Sequence, residues 1–373
     1  MNRNAIIYAL WGSNISVIES FLEKNVSCYI ISSEIFISKS IRKSLESRGY
    51  HIIYFEEIYD NKLDNEKEKS LLSLKKSLLS AKLTNNKART ERCISVANNI
   101  ITTLYALNYA ISHFDVSLCI VNEQYTPLAR AIVLFSKNNT ITTFYISHGA
   151  AWGVNYTVHS TSYADLYFIA GERFSNYYSF IDKINKKYII TGLPSWDTMA
   201  SVIKSPSNQL LWKDKYVLDS KLPTVVFFTT WVAYFSELYI LEKDTLKKGF
   251  ELILKAKISL KEKIEFNLII KDRAGAGNNQ ELLQELCHSI GLDNNEIIYT
   301  NGNAADFLLY SDLIISLDST ISAEAIVAGN APINIPRPMG WYYGPFIGGN
   351  DGIINLTEEN IVETITTFLT QPE

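Results

Sequence analysis

The chain has 373 residues, 47% apolar and 20% charged, with 35 Lys and Arg against 39 Asp and Glu for a net charge of −4. That length exceeds what one hydrophobic core usually serves, so about two domains are expected. The acidic balance excludes a chain built mainly to neutralise nucleic-acid phosphates.

The first segment, AIIYALWGSNISVIESFLEK, has an apolar run at 5–10, a turn at Gly12, Ser13 and Asn14, then an amphipathic stretch: strand, turn, helix. The pattern repeats with strands at 26–32 and 50–56 around a helix near 36–48. Residues 60–92 are highly charged with helical leucine spacing and read as a solvated surface excursion, followed by a helix near 93–113. Strands are predicted at 117–123, 140–149, 164–172 and 187–194, with a helix at 126–138 carrying Pro127 in its first turn. Residues 196–222 look polar and irregular, and the domain boundary is placed there, giving domains of 1–200 and 201–373. The pattern then restarts. Strands fall at 224–230, 266–272, 296–300, 312–318 and 331–336, and helices include a long one at about 236–258, one ending at Gly329 and a last one near 357–370. Short, apolar, non-alternating strands between helices are those of parallel sheets buried on both faces. The fold class is therefore α/β, with two Rossmann-like doubly wound domains. Neither a membrane-spanning apolar run nor the pattern of a secretory leader is present. Cys28, Cys93, Cys119 and Cys287 lack metal-ligand or CxxC spacing and read as buried free thiols of a reducing cytoplasm.

Ligands of open parallel sheets bind beyond the carboxyl ends of the strands. Polar residues collect there: Asn122 and Glu123, His148 and Gly149 in the first half, and Thr229, Thr230, Lys271, Asp272, Arg273, Thr300, Ser319 and Thr320 in the second. Ser319 and Thr320 open a helix, whose free N–H groups favour an anion, and Glu324 on its first turns can reach a ribose hydroxyl or cap the helix. Lys271 and Arg273, before a flexible AGAGNN, suit a phosphate. His148 at a strand end can serve as a general base, as can the carboxylate of Glu123. Trp152 can stack on a sugar. Signatures of metal-dependent or serine hydrolysis (DxD, HExxH, GxSxG) and the phosphate-loop motif are missing.

Several segments carry a family resemblance: NEQYTPLARAIVLFSKNNTITTFYISHGA, YADLYFIAGE, YIITGLPSWDTM, FNLIIKDRAGAGN and NAADFLLYSDLIISLDSTISAEAIVAGNAPINI. Over roughly 117–335 the chain resembles bacterial GT-B glycosyltransferases of surface-polysaccharide synthesis, around capsule Kdo transferases, teichoic acid glycerophosphotransferases and the related 2-epimerase fold. The matching motifs are His148–Gly149, Gly192–Pro194–Asp197, and the block from Ser311–Asp312 through Ser319–Thr320 to Glu324–Ala325. Many relatives carry Lys-x-His-Pro where this chain has Lys271–Asp272–Arg273.

The resemblance implies two domains facing across a cleft. The second would bind a nucleotide-sugar donor, CMP-linked such as CMP-Kdo or otherwise, through Thr229, Thr230, Lys271, Arg273, Thr300, Ser319, Thr320 and Glu324. The first would bind a glycan or lipid-linked glycan acceptor near Gly12, Ser13, Asn14 and Trp152. It implies an inverting, metal-independent transfer without cofactor, with Glu123 or His148 as base, in the cytoplasm or attached to the inner face of the membrane. The alternatives are a nucleotide-sugar 2-epimerase and a non-catalytic sugar-nucleotide-binding protein.

Overall fold

The computed structural model describes residues 4–8, 28–32, 37–54, 57, 61–80, 87–121, 127–146, 164–171, 187–201, 205–229, 239–272, 279–317, 319, 321–336 and 354–371. They divide into two compact units between Ser195 and Trp196.

The first unit runs β1 (Asn4–Tyr8), β2 (Cys28–Ser32), α1 (Lys39–Glu46), β3 (His51–Tyr54), α2 (Asn61–Ser80), α3 (Lys87–His113), β4 (Val116–Val121), α4 (Pro127–Asn138), β5 (Thr142–Ile146), β6 (Leu166–Ile169) and β7 (Lys187–Ile190). Its sheet is parallel throughout, in the order β3-β2-β1-β4-β5-β6-β7. Successive strand residues serve opposite faces. Ile31, Cys119, Val121 and Tyr145 therefore join Ala106, Leu107 and Ala110 of α3 and Ile132 and Val133 of α4, while Ile30, Ile120 and Ile146 join Leu45 of α1.

The second unit holds α5 (Pro194–Ser201, which straddles the division), α6 (Pro206–Lys215), β8 (Thr224–Phe228), α7 (Tyr239–Leu260), β9 (Asn267–Lys271), α8 (Asn279–Ile290), β10 (Ile297–Thr300), α9 (Ala304–Tyr310), β11 (Leu313–Leu317), α10 (Ile321–Val327), β12 (Pro332–Ile335), β13 (Ile354–Asn355) and α11 (Ile361–Thr370). Its sheet is also parallel, ordered β10-β9-β8-β11-β12-β13. Every residue of β8 and β11 is buried. Val225, Phe227, Leu268, Ile270, Leu313, Ile315 and Leu317 face α7, α8 and α11; Val226, Phe228, Ile269 and Ile314 face α5, α6, α9 and α10. Fully burying each such side chain contributes about 1.5–3 kcal/mol. Ile361 and Ile365 place α11 in the core of this unit, against α7.

Three expectations are corrected. The stretch expected to be irregular, 196–222, holds helices: α5, with Trp196 on it rather than in a loop, and α6. Ser205 caps α6 by accepting from Asn208 N at 3.1 Å, and Pro206 opens its first turn. A few large residues, Met199 and Trp212 among them, bury these helices, so a polarity average over the stretch misses them. The charged excursion at 60–92 is divided between α2 and the start of α3. Cys119 and Cys287 are buried as expected, but Cys93 is exposed, because it lies on the outer part of α3 ahead of the residues that reach the sheet.

Candidate functional site

In the second unit the strand order reverses between β8 and β11, the switch point at which open α/β sheets take ligands. The carboxyl ends of β10, β9, β8 and β11 lie side by side there, spanning roughly 14 Å at the ordinary strand spacing.

Three of the residues expected to bind donor meet at this edge. Thr229, just past β8, donates its backbone N–H to the carbonyl of Lys271, the last residue of β9, at 3.1 Å. Asp272 N donates to the carbonyl of Thr300, the last residue of β10, at 2.7 Å. Thr300 Oγ1 in turn accepts from Gly302 N at 3.1 Å, fixing the turn beyond β10. Thr229 and Lys271 are buried, and Lys271 Nζ donates to the carbonyl of Asp272 at 2.6 Å. Ser319 and Glu324 are half-buried at the β11 end of the same edge; Ser319 O accepts from Ser322 N at 3.0 Å, so the backbone turns there into α10.

The centre of the cluster is a residue outside that expected set. Asp272 is 2% exposed, and its carboxylate accepts from the Thr229 hydroxyl, from Asn279 Nδ2 at 3.0 and 3.1 Å, and from the Tyr299 hydroxyl. A buried carboxylate is costly unless donors compensate it, and here three side chains from three elements do so. Asn279 opens α8, so the bond to Asp272 ties together the two ends of the segment 273–278. The only sequence signal was a carboxylate at the end of an apolar strand; its partners lie 43, 7 and 27 residues away along the chain.

A second buried polar chain borders the edge. The Ser316 and Ser322 hydroxyls are 2.6 Å apart, joining β11 to α10, and Asn334 Nδ2 on β12 donates to Asn355 Oδ1 on β13 at 3.1 Å. These residues too were not singled out from sequence.

The motif block from Ser311 to Ala325 thus divides into two roles. Asp312 lies at the opposite, amino end of β11: its carboxylate accepts from Thr224 N at 2.7 Å and its N–H donates to Thr224 O at 2.9 Å, which locks β11 to β8. Asp165 does the same for β6 and β5, accepting from Thr143 N at 2.9 Å and Thr143 Oγ1 at 2.7 Å. Ser311 donates to the carbonyl of Phe307 and closes α9. The Gly192–Pro194–Asp197 motif builds the entrance to α5: Gly192 adopts φ +74, Leu193 is buried, and Asp197 lies exposed in the first turn. Among the described residues of these motifs, only Ser319 and Glu324 stand at the ligand edge.

Gly12, Ser13, Asn14, Glu123, His148, Trp152, Thr230, Arg273 and Thr320 lie outside the described residues.

No protein-family model matches the sequence, and a search of curated proteins finds no match. Solved structures do resemble it. The UDP-GlcNAc 2-epimerase from Rickettsia bellii aligns with a TM-score of 0.60 at 13% identity, over 100% of this chain and 88% of that one. The UDP-GlcNAc 2-epimerase from Methanocaldococcus jannaschii aligns with a TM-score of 0.59 at 12% identity, over 99% and 93%. A variant of the wall teichoic acid polymerase TagF aligns with a TM-score of 0.52 at 10% identity, over 100% and 81%. At such identities the likeness concerns the fold. Two parallel Rossmann-like sheets in one chain, with these neighbours, define a GT-B-type α/β fold.

Proposed function

We propose that the chain binds a nucleotide-activated sugar at the carboxyl ends of β8 to β11 and transfers the sugar to a glycan or lipid-linked glycan acceptor in the synthesis of a bacterial surface polysaccharide. The observation that carries this is the corner at the switch point of the second sheet, where buried Thr229, Lys271 and Asp272 meet half-buried Thr300. Polar groups are concentrated where the fold places ligands, at the ends of strands whose middles are largely apolar. A structure of the Methanocaldococcus jannaschii epimerase, of like fold at a TM-score of 0.57, is a complex with UDP-GlcNAc and UDP, which supports a sugar nucleotide as the ligand class.

In this mechanism Lys271 supplies positive charge to the donor phosphates, with Arg273, and Ser319 and Thr320 offer hydroxyl donors. Glu324 takes a ribose hydroxyl. Charge placed in advance stabilises the nucleotide as its bond to the sugar breaks, with no metal in the scheme. The acceptor hydroxyl attacks the anomeric carbon and gives its proton to Glu123, with His148 the second candidate base. One displacement inverts the anomeric configuration. The resemblance to capsule Kdo transferases makes CMP-Kdo one donor to include beside UDP-, GDP- and CDP-sugars.

The test is a thermal-shift panel of these donors on the intact chain. A donor at a hundred times its Kd adds about 2.7 kcal/mol of stability. Lys271→Ala should weaken the response by tenfold or more in apparent Kd. If no sugar nucleotide shifts the melting temperature, the donor site is refuted.

A second reading, a nucleotide-sugar 2-epimerase, is favoured by the TM-scores of 0.59 and 0.60 to epimerases. NMR of donor and enzyme without acceptor separates the two: inversion at C2 identifies the epimerase, and turnover only with acceptor identifies the transferase.

A further inference from the structure

The described side chains of the helix α2, inserted between β3 and β4, contribute to neither core cluster of the first unit, and none of them is buried. It packs on α3. Its half-buried positions are Lys67, Leu71, Leu74 and Leu78, spaced i, i+4, i+7 and i+11, which is one stripe of a helix. Partial burial lowers the pKa of Lys67, in keeping with its place on that seam.

The opposite stripe has a different chemistry. Leu72, 54% exposed, stands roughly 100° to 160° around the helix axis from the residues of the seam. Around it, at i−3, i+3 and i+4, are Lys69, Lys75 and Lys76, all exposed. Glu68, at i−4, is the described acid on this stripe, and Asn65, Ser73 and Ser80 are its other described exposed positions. A chain with net charge −4 therefore carries a local cationic face with an apolar side chain at its centre. Free polyanions reward the lysines and give nothing for Leu72. An anionic bilayer rewards both, because lipid phosphates attract the ammonium groups while the interface takes up the apolar side chain. Among the described residues no helix is long and apolar enough to cross a membrane, so attachment of this part would be at the surface.

We propose that the outward face of α2 docks on an anionic lipid surface, with Leu72 entering the headgroup boundary and Lys69, Lys75 and Lys76 lying against lipid phosphates. The inference stands independently of the reaction assigned above, although surface docking would bring the chain to a lipid-linked acceptor.

The experiment is co-sedimentation of the full chain with vesicles of phosphatidylcholine alone and of equimolar phosphatidylcholine and phosphatidylglycerol, across a salt series. Binding to the mixed vesicles at low salt, weak binding to phosphatidylcholine, and a steep loss with salt are expected. Each lysine near such a surface contributes about fivefold in affinity, so K69E/K75E/K76E should lose on the order of a hundredfold or more. K69R/K75R/K76R should retain binding, and L72S should weaken it several-fold while leaving the salt slope unchanged. Melting curves of all variants verify that they fold. No sedimentation of the wild type with mixed vesicles at low salt overturns the proposal, as does a charge-reversed variant that binds like wild type. An L72S variant that binds both mixed vesicles and a single-stranded oligonucleotide as tightly as wild type does would also overturn it, marking the face as a general polyanion surface.

Discussion

Val217 follows the last turn of α6 with φ 55 and is 90% exposed. It sits where a helix C-terminus ordinarily takes glycine: Leu218 N donates to Lys213 O at 3.0 Å and Val217 N to Asp214 O at 3.1 Å, closing the helix through a left-handed residue. A β-branched side chain is strained there, so Val217→Gly should stabilise the chain by about 1 kcal/mol and raise Tm by about 2–4 °C by calorimetry. Gly302 is the reverse case. A Cβ would stand 2.5 Å from the Tyr216 hydroxyl and 3.1 Å from Phe307, in a ring cluster already packed with Trp212. Gly302→Ala should cost about 1–3 kcal/mol by denaturant titration, and it would disturb the turn that Thr300 holds at the candidate site. The thiols divide by burial. Cys119 is pushed up to about 11 by its apolar surroundings, so its thiol stays protonated, whereas Cys93 is exposed. Brief alkylation of the native chain, read by peptide mass mapping, should label Cys93 and spare Cys119 until the chain unfolds.

Among the elements, the paired aspartate locks at the amino ends of β6 and β11 are the joints of each sheet. Asp312→Ala leaves the N–H of Thr224 without its carboxylate partner and should cost about 1–3 kcal/mol. For Asp165, burial alone would raise the carboxyl pKa, but Lys137 and Thr143 outweigh it and hold the carboxyl below its ordinary value. A depressed folded-state pKa gives stability that is present above the unfolded-state value and is lost as pH falls through the folded one. Asp165→Asn should therefore flatten the acid limb of the stability curve, measured as the urea midpoint between about pH 5 and pH 3, relative to wild type. Most elements were legible in the sequence. TVVFF, NLIIK and LIISL announce doubly buried strands because their residues are apolar apart from hydroxyl or amide positions and the terminal Lys271. The helices α5 and α6 were not legible, because a few aromatic and sulfur-bearing anchors such as Trp212 and Met199 do the burying amid polar residues.

At the scale of the whole molecule, each unit closes around its own clusters of apolar side chains, and α5 and α11 both belong to the second. A fragment starting just before Pro194 and running to the end should unfold cooperatively by itself and keep any donor-induced rise in Tm seen for the intact chain. A fragment that fails to fold would show that the second core depends on the first unit. The sequence by itself determined the α/β class, most of the strands and helices in their chain order, and the residues at the strand ends of the second unit, because apolar runs and turn residues are local signals. It pointed to Thr229, Lys271 and Thr300 for the same reason. Only the tertiary structure decided that Asp272 is the hub that joins Thr229, Asn279 and Tyr299, and that Ser311 and Asp312 serve the scaffold rather than the ligand edge. Those roles depend on which strands become neighbours, and pairing β8 with both β9 and β11 is settled by packing two faces of a sheet at once, a condition no single segment contains.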